Sequence, residues 1–84
     1  MYKVFIDPRA KKQLLAVGQV EQRRIEKNID SLAANPRPPD CKKLQGVDGL
    51  FRVRVGDYRI IYQVKDRELI VLVVRVGHRR EVYR

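Results

Sequence analysis

The segment Leu50-Phe51-Arg52-Val53-Arg54-Val55-Gly56-Asp57-Tyr58-Arg59-Ile60-Ile61-Tyr62 constrains this chain more than any other part of it. Apolar and charged residues alternate from Leu50 to Val55 with the period of a half-buried strand. Gly56-Asp57 supplies a two-residue turn, and β-branched and aromatic residues resume at Tyr58. The segment is therefore a β-hairpin. A two-residue loop fixes the register, pairing Val55 with Tyr58, Arg54 with Arg59, Val53 with Ile60 and Arg52 with Ile61. Side chains alternate across a strand, so Phe51, Val53, Val55, Tyr58, Ile60 and Tyr62 form the buried face, and Arg52, Arg54 and Arg59 share the other. Like charges opposed in a sheet destabilise it by roughly 0.2–1 kcal/mol, and no carboxylate accompanies these arginines on their face. Three cations held together against that repulsion fit a polyanionic ligand better than an ordinary solvated edge.

At 84 residues the chain is expected to form one domain over residues 1–84 with a small core, burying about 60–65% of the surface its unfolded form exposes. Nineteen Lys and Arg against ten Asp and Glu give a formal charge of +9, which favours nucleic acid or an acidic protein over a neutral metabolite. From Leu50 onward there are eight arginines and one lysine, Lys65, whereas the first 49 residues mix the two types. Guanidinium is planar, permanently charged and able to grip two phosphate oxygens at once, so this bias reads as phosphate recognition. No apolar run is long enough for a membrane span or a signal peptide, which points to the cytoplasm. The single cysteine, Cys41, has no second thiol for a disulfide or a zinc site and reads as an incidental loop residue.

Tyr2 to Ile6 reads as a short strand, with Asp7-Pro8 as the N-cap and first residue of a helix that carries Ala10, Leu14 and Val17 on one face. Gly18 is its natural stop. A second helix is expected to open its buried side at Val20 and to continue through Ile25, Ile29, Leu32 and Ala33, until Asn35-Pro36 ends it. A loop then runs to about Asp48, with Lys42 and Lys43 as weak candidates for touching a polyanion. After the hairpin, Asp66-Arg67 marks a turn, and the apolar run from Glu68 to Val76 reads as a central strand. The expected fold class is α+β. It comprises an N-terminal strand, a two-helix hairpin and a three-stranded antiparallel meander, in one mostly antiparallel sheet with the helices on one face.

Glycine-rich phosphate loops, HExxH, paired cysteines and GxSxG are all missing from the sequence, so no cofactor and no metal is expected. Cleavage of RNA by its own 2′-OH needs neither. It needs a base for the hydroxyl, an acid for the leaving oxygen and cations around the phosphorane-like transition state. Arg52, Arg54 and Arg59 are candidate cations. His78, the only histidine, has the one side chain whose unperturbed pKa, about 6.5, suits proton transfer near neutrality.

The runs from Arg52 to Tyr62, Val76-Gly77-His78-Arg79 and Glu81-Val82-Tyr83, in the order strand, two helices, arginine hairpin, apolar strand and basic tail, resemble the RelE toxins of the RelE/ParE superfamily. The resemblance covers nearly the whole chain. It implies a microbial-ribonuclease-like fold and the toxin of a type II toxin-antitoxin system, an endoribonuclease (mRNA interferase) that cuts mRNA in the ribosomal A site and inhibits translation. It also implies an acidic RelB-like antitoxin, the ribosomal 30S A site and mRNA as partners, no membrane, and a toxin-antitoxin complex assembled as a higher oligomer on operator DNA. Carried over by position, the basic pair of the first hairpin strand falls on Arg52 and Arg54, and the transition-state arginine on Arg59. The tail arginine proposed as general acid falls on Arg79, and the tyrosine that stacks on or orients the mRNA on Tyr83, with Arg80 a further RNA contact. Family members with lysine on the first hairpin strand can use it as a base. Here both positions are arginine, which leaves His78 as the candidate base and Glu81 as the nearby carboxylate. The alternative reading is a ParE-like toxin of the same fold that inhibits DNA gyrase without nuclease chemistry.

Overall fold

The computed structural model describes residues 1–46 and 48–78. Within them the order of elements is β1 (Lys3–Ile6), α1 (Pro8–Leu15), α2 (Gln19–Ser31), β2 (Lys42–Lys43), β3 (Leu50–Val55), β4 (Tyr58–Lys65) and β5 (Ile70–His78). The strands form one sheet in the order β1-β5-β4-β3-β2. β1 runs parallel to β5, and every other pairing is antiparallel. This is the expected α+β arrangement with one addition. Lys42 and Lys43, read from sequence as loop, pair with Arg52 and Phe51 as a two-residue edge strand. Two residues carry no periodic signal, so only the neighbour's free edge reveals the strand.

The hairpin of β3 and β4 takes the predicted register, from Val55↔Tyr58 and Arg54↔Arg59 to Val53↔Ile60 and Arg52↔Ile61. Gly56 sits at φ +60°, a left-handed conformation that a tight hairpin turn needs and a side chain resists. β5 is the central strand that its apolar run predicted, but it is not regular. Tyr62 pairs with Val73 while Ile61 pairs with Arg75, so Val74 is an extra residue taken up in a bulge.

One face of the sheet is covered by the helices. Ala10 and Leu14 of α1, Ile25 and Ile29 of α2, and Leu32 just beyond it pack on Val53, Ile60, Tyr62, Val71, Val73 and Val76. Asp7 caps α1 by accepting from the Arg9 amide at 2.9 Å, with Pro8 in the first turn. Two details differ from the sequence reading. Gly18 does not stop α1, which ends at Leu15, but is the N-cap of α2. Val20 is 69% exposed rather than buried. The two findings share a cause: α2 starts at Gln19, and Val20 lies five residues before Ile25, off the helical stripe that Ile25 and Ile29 define.

β1 pairs with β5 only as far as Val73, with Asp7 N–H donating to the Val73 carbonyl at 2.8 Å. Beyond that point α1 covers the open edge, and the Gln13 side chain accepts from Val76 N–H at 2.9 Å. At the opposite end of the sheet, Asp66 in the β4–β5 turn accepts from the Tyr2 hydroxyl at 2.6 Å and from both terminal nitrogens of Arg37, at 3.2 and 2.7 Å. The Arg37 guanidinium lies 5.2 Å over the Phe51 ring, which stacks on Tyr62 at 5.9 Å. Tyr62 is fully buried and donates to the Pro36 carbonyl at 2.8 Å. Burial pushes its phenol well above the ordinary tyrosine range. These contacts tie the N-terminus, the loop after α2 and the last turn to one another. Among the described residues, no helix is long and apolar enough to cross a membrane.

Candidate nucleic-acid interface

Among the described residues the helices leave the second face of the sheet uncovered, and the register maps its side chains into rows. Residues directly opposed across neighbouring strands share a face. One row reads Lys42, Arg52, Ile61, Arg75 across β2, β3, β4 and β5. The next reads Arg54, Arg59, Gly77 across β3, β4 and β5. Toward the other end of the strands the face changes character, with a row of Leu50, Gln63, Leu72 and Phe5 and then Lys65, Ile70 and Lys3. The open face is thus divided into an arginine-rich half and a half whose apolar side chains, Leu50, Leu72, Phe5 and Ile70, stand beside Gln63 and the lysines Lys65 and Lys3.

The three hairpin arginines do share one face, but not one environment. Arg54 is exposed and Arg52 half-buried, while Arg59 is 6% exposed. A guanidinium does not lose its proton on burial, so Arg59 keeps a full charge where water screens it least. Neither it nor Arg52 is left without a partner. Such a charge acts on a nearby anion more strongly than the solvated Arg54 does. Among the described residues no group of three or more His, Cys, Asp and Glu side chains is placed to hold a metal ion.

Register separates other candidates that the sequence placed together. Lys42 opposes Arg52 on the open face, whereas Lys43 opposes Phe51 and falls on the helical side. His78 opposes Tyr58, a residue of the helical face, and its ring meets the Tyr58 ring edge-on at 5.7 Å. It lines a small cavity of about 290 Å³ with Glu21, Arg24 and Asp57, at the hairpin tip and the start of α2. His78 is one residue out of phase with Gly77, the residue opposite Arg59, and it lines a second cavity with Gln13, Tyr58, Arg75 and Gly77. Arg79, Arg80, Glu81 and Tyr83 lie outside the described residues.

Two cations escaped the sequence reading. Arg75 stood inside an apolar run and was absorbed into the central strand, but the bulge at Val74 turns it onto the open face. Arg9, near the start of α1, borders the same region: with Gln13, Leu50, Ile61, Val74 and Arg75 it lines a groove of about 410 Å³. An arginine breaking an otherwise apolar strand was the available signal for the first. Nothing in the sequence announced the second.

Comparison with known proteins identifies the architecture. Residues 4–83 match the family model described as the ParE toxin of type II toxin-antitoxin systems, parDE. The mRNA interferase toxin RelE of Escherichia coli strain K12 is 30% identical over 86 residues, spanning 98% of this chain and 90% of that protein. This chain belongs to the RelE/ParE toxin family. Solved structures agree. The RelE-RelB complex of Pyrococcus horikoshii OT3 matches with a TM-score of 0.84 at 30% identity, over 95% of this chain and 97% of that one. The isolated Escherichia coli RelE toxin matches with a TM-score of 0.83 at 30% identity, over 99% and 92%. The arginine hairpin of the toxin described here is thus part of a framework shared along nearly its full length, rather than an insertion upon it.

Proposed function

We propose that this toxin is a ribosome-dependent mRNA endonuclease, cutting message in the ribosomal A site, and that an acidic RelB-like antitoxin neutralises it. The observation that carries this reading is the cationic half of the open face, where Arg52, Arg54 and Arg59 converge on one surface with a buried charge at its centre. Attack of a ribose 2′-oxygen on the adjacent phosphorus forms the O2′–P bond and breaks the P–O5′ bond, passing through a phosphorane-like state with added negative charge on its oxygens. Arg59 is the cation best placed to stabilise that charge, because it is least screened. Arg54 and Arg52 hold the same phosphate from more solvated positions, with Lys42 beyond them. The leaving O5′ takes its proton from Arg79 in this scheme. In the same scheme the 2′-OH proton goes to a ribosomal group or to the Tyr83 phenolate, which becomes the phenol, and His78, opposite Tyr58, serves as a neighbouring contact.

The antitoxin has two surfaces to satisfy. Carboxylates suit the arginine rows, and the apolar half, where Phe5 is 50% exposed, calls for apolar cover. Association should weaken as salt screens the charge pairs. The test of the main reading is primer extension on a ribosome-bound message, using toxin freed of antitoxin. Cuts confined to the A site, with naked RNA largely intact, are expected. Their absence, together with inhibition of gyrase supercoiling, would move the protein to the ParE-like class that also bears the family model's name.

A further inference from the structure

The bulge in β5 decides where Arg75 points. Val71 and Val73 are both buried against the helices, and strict alternation from them would carry residue 75 into the core and turn residue 76 out. The chain does the reverse. Val74 is taken up as the extra residue, so Val76 opposes Ile60 and is 1% exposed, while Arg75 opposes Ile61 and is exposed on the open face. Gly77 is the residue opposite Arg59, which makes Arg75 the diagonal neighbour of Arg59, at a distance of roughly 7–8 Å. Between Arg75 and Arg52 in the same row stands Ile61, which adds no charge.

The groove beside this row has an apolar floor of Leu50, Ile61 and Val74, with guanidinium groups at its border from β5 (Arg75) and from α1 (Arg9). Gln13 also borders it and has committed its side-chain oxygen to the Val76 amide. The polar side chains facing the groove therefore offer donors and positive charge. Such a combination fits one nucleotide of a single strand, its base against aliphatic carbon and its phosphate between arginines.

We infer that Arg75, assisted by Arg9, is a positioning residue that holds the message at the nucleotide flanking the scissile phosphate, in the groove opened by the β5 bulge. The inference rests on the nuclease reading above and extends it from the hairpin arginines to the central strand and α1. Arg75 does not touch the reacting atoms in this scheme. It sets where along the strand the Arg59 charge meets a phosphate.

The test is single-turnover cleavage of a ribosome-bound message, with the full chain titrated over a range of toxin concentrations. For Arg75→Gln the concentration giving half-maximal rate should rise about five- to tenfold, and the salt dependence of binding should lose about one unit of slope. The rate at saturating toxin should stay within about twofold of the wild type, and Arg75→Lys should recover much of the loss, since charge rather than fork geometry dominates a phosphate contact. Arg9→Gln should act in the same direction. Arg67→Gln, in the turn at the other end of the sheet, should change nothing. Thermal melts of each variant confirm that the exposed substitutions leave the fold intact. Binding to vacant ribosomes separates the source of the phosphate, because a loss confined to message-bearing ribosomes is expected. Wild-type cleavage with an unaltered Arg75→Gln titration overturns this inference and leaves the nuclease reading standing. An equal loss on vacant ribosomes reassigns Arg75 to ribosomal RNA and also overturns it, as does a fall in the saturated rate comparable to that of Arg59→Ala. If the wild type cuts nothing, both readings fall together.

Discussion

At the scale of single residues, the hairpin arginines illustrate how identical side chains acquire different work from burial alone. Arg54 and Arg59 oppose one another, yet only Arg59 is enclosed. Arg59→Ala should therefore lower the single-turnover rate by about 10²-fold at saturating toxin, the scale of losing one preorganised transition-state donor. Arg52→Ala should act mainly on the concentration needed for saturation. Equal losses through binding alone would remove the distinction. His78 gives the opposite lesson, for it has suitable chemistry on the wrong phase of a strand. His78→Gln should keep the single-turnover rate within about threefold, the outcome expected of a contact rather than of the proton acceptor. A loss of about a hundredfold or more would return the base to His78.

At the scale of elements, two contacts far from the arginines hold their platform in place. The Tyr62 hydroxyl satisfies the Pro36 carbonyl, and Tyr62→Phe should reduce stability by about 1–2 kcal/mol in denaturant titration, the range for a buried acceptor deprived of its donor. Gln13→Ala, which bares the Val76 amide at the edge of β5, should cost about 1 kcal/mol by the same measurement. The Asp66 carboxyl is held below the usual aspartate value, first by its hydrogen bond to Arg37 and then by that from Tyr2. A carboxyl depressed in the folded state contributes stability that is complete above its unfolded pKa, about 3.9, and disappears as the pH falls through the folded value. Asp66→Asn should accordingly melt below the wild type at pH 7, with the gap closing as both are taken into acid; a constant gap would mean the carboxylate's charge is not involved. The sequence made much of this level legible. Alternation and the Gly56-Asp57 turn specified β3, β4 and their register, because period-two burial allows only one answer. It concealed β2, too short to show a period, and the β5 bulge, because Val74 is as apolar as its neighbours and only pairing with β4 reveals which residue is extra. The site followed the fold in this respect. Residues on the hairpin fall on the face that alternation assigns them, whereas the positions of Arg75 and His78 depend on the phase of the bulged strand, which the sequence does not show.

At the scale of the whole molecule, the sheet separates two tasks. One face binds the helices and supplies the stability, and the other is left to partners and divided between charge and apolar surface. Exposure of both halves in the free toxin predicts that its complex with an acidic partner loses affinity with salt but retains a salt-insensitive part from the apolar half. Isothermal titration at several ionic strengths would resolve the two, and complete loss at high salt would argue against any apolar share. The strand order carries one more consequence. β5 is the last of the described strands in the chain but lies inside the sheet, between β1 and β4, where it contributes Arg75 beside Arg59. Until β5 has been synthesised, β1 has no strand to pair with, and the hairpin arginines stand on a sheet that lacks an interior strand. A chain interrupted before residue 70 should be unfolded by circular dichroism. On the proposed reading, a chain that stops short of β5 carries the cationic hairpin without the fold that aims it.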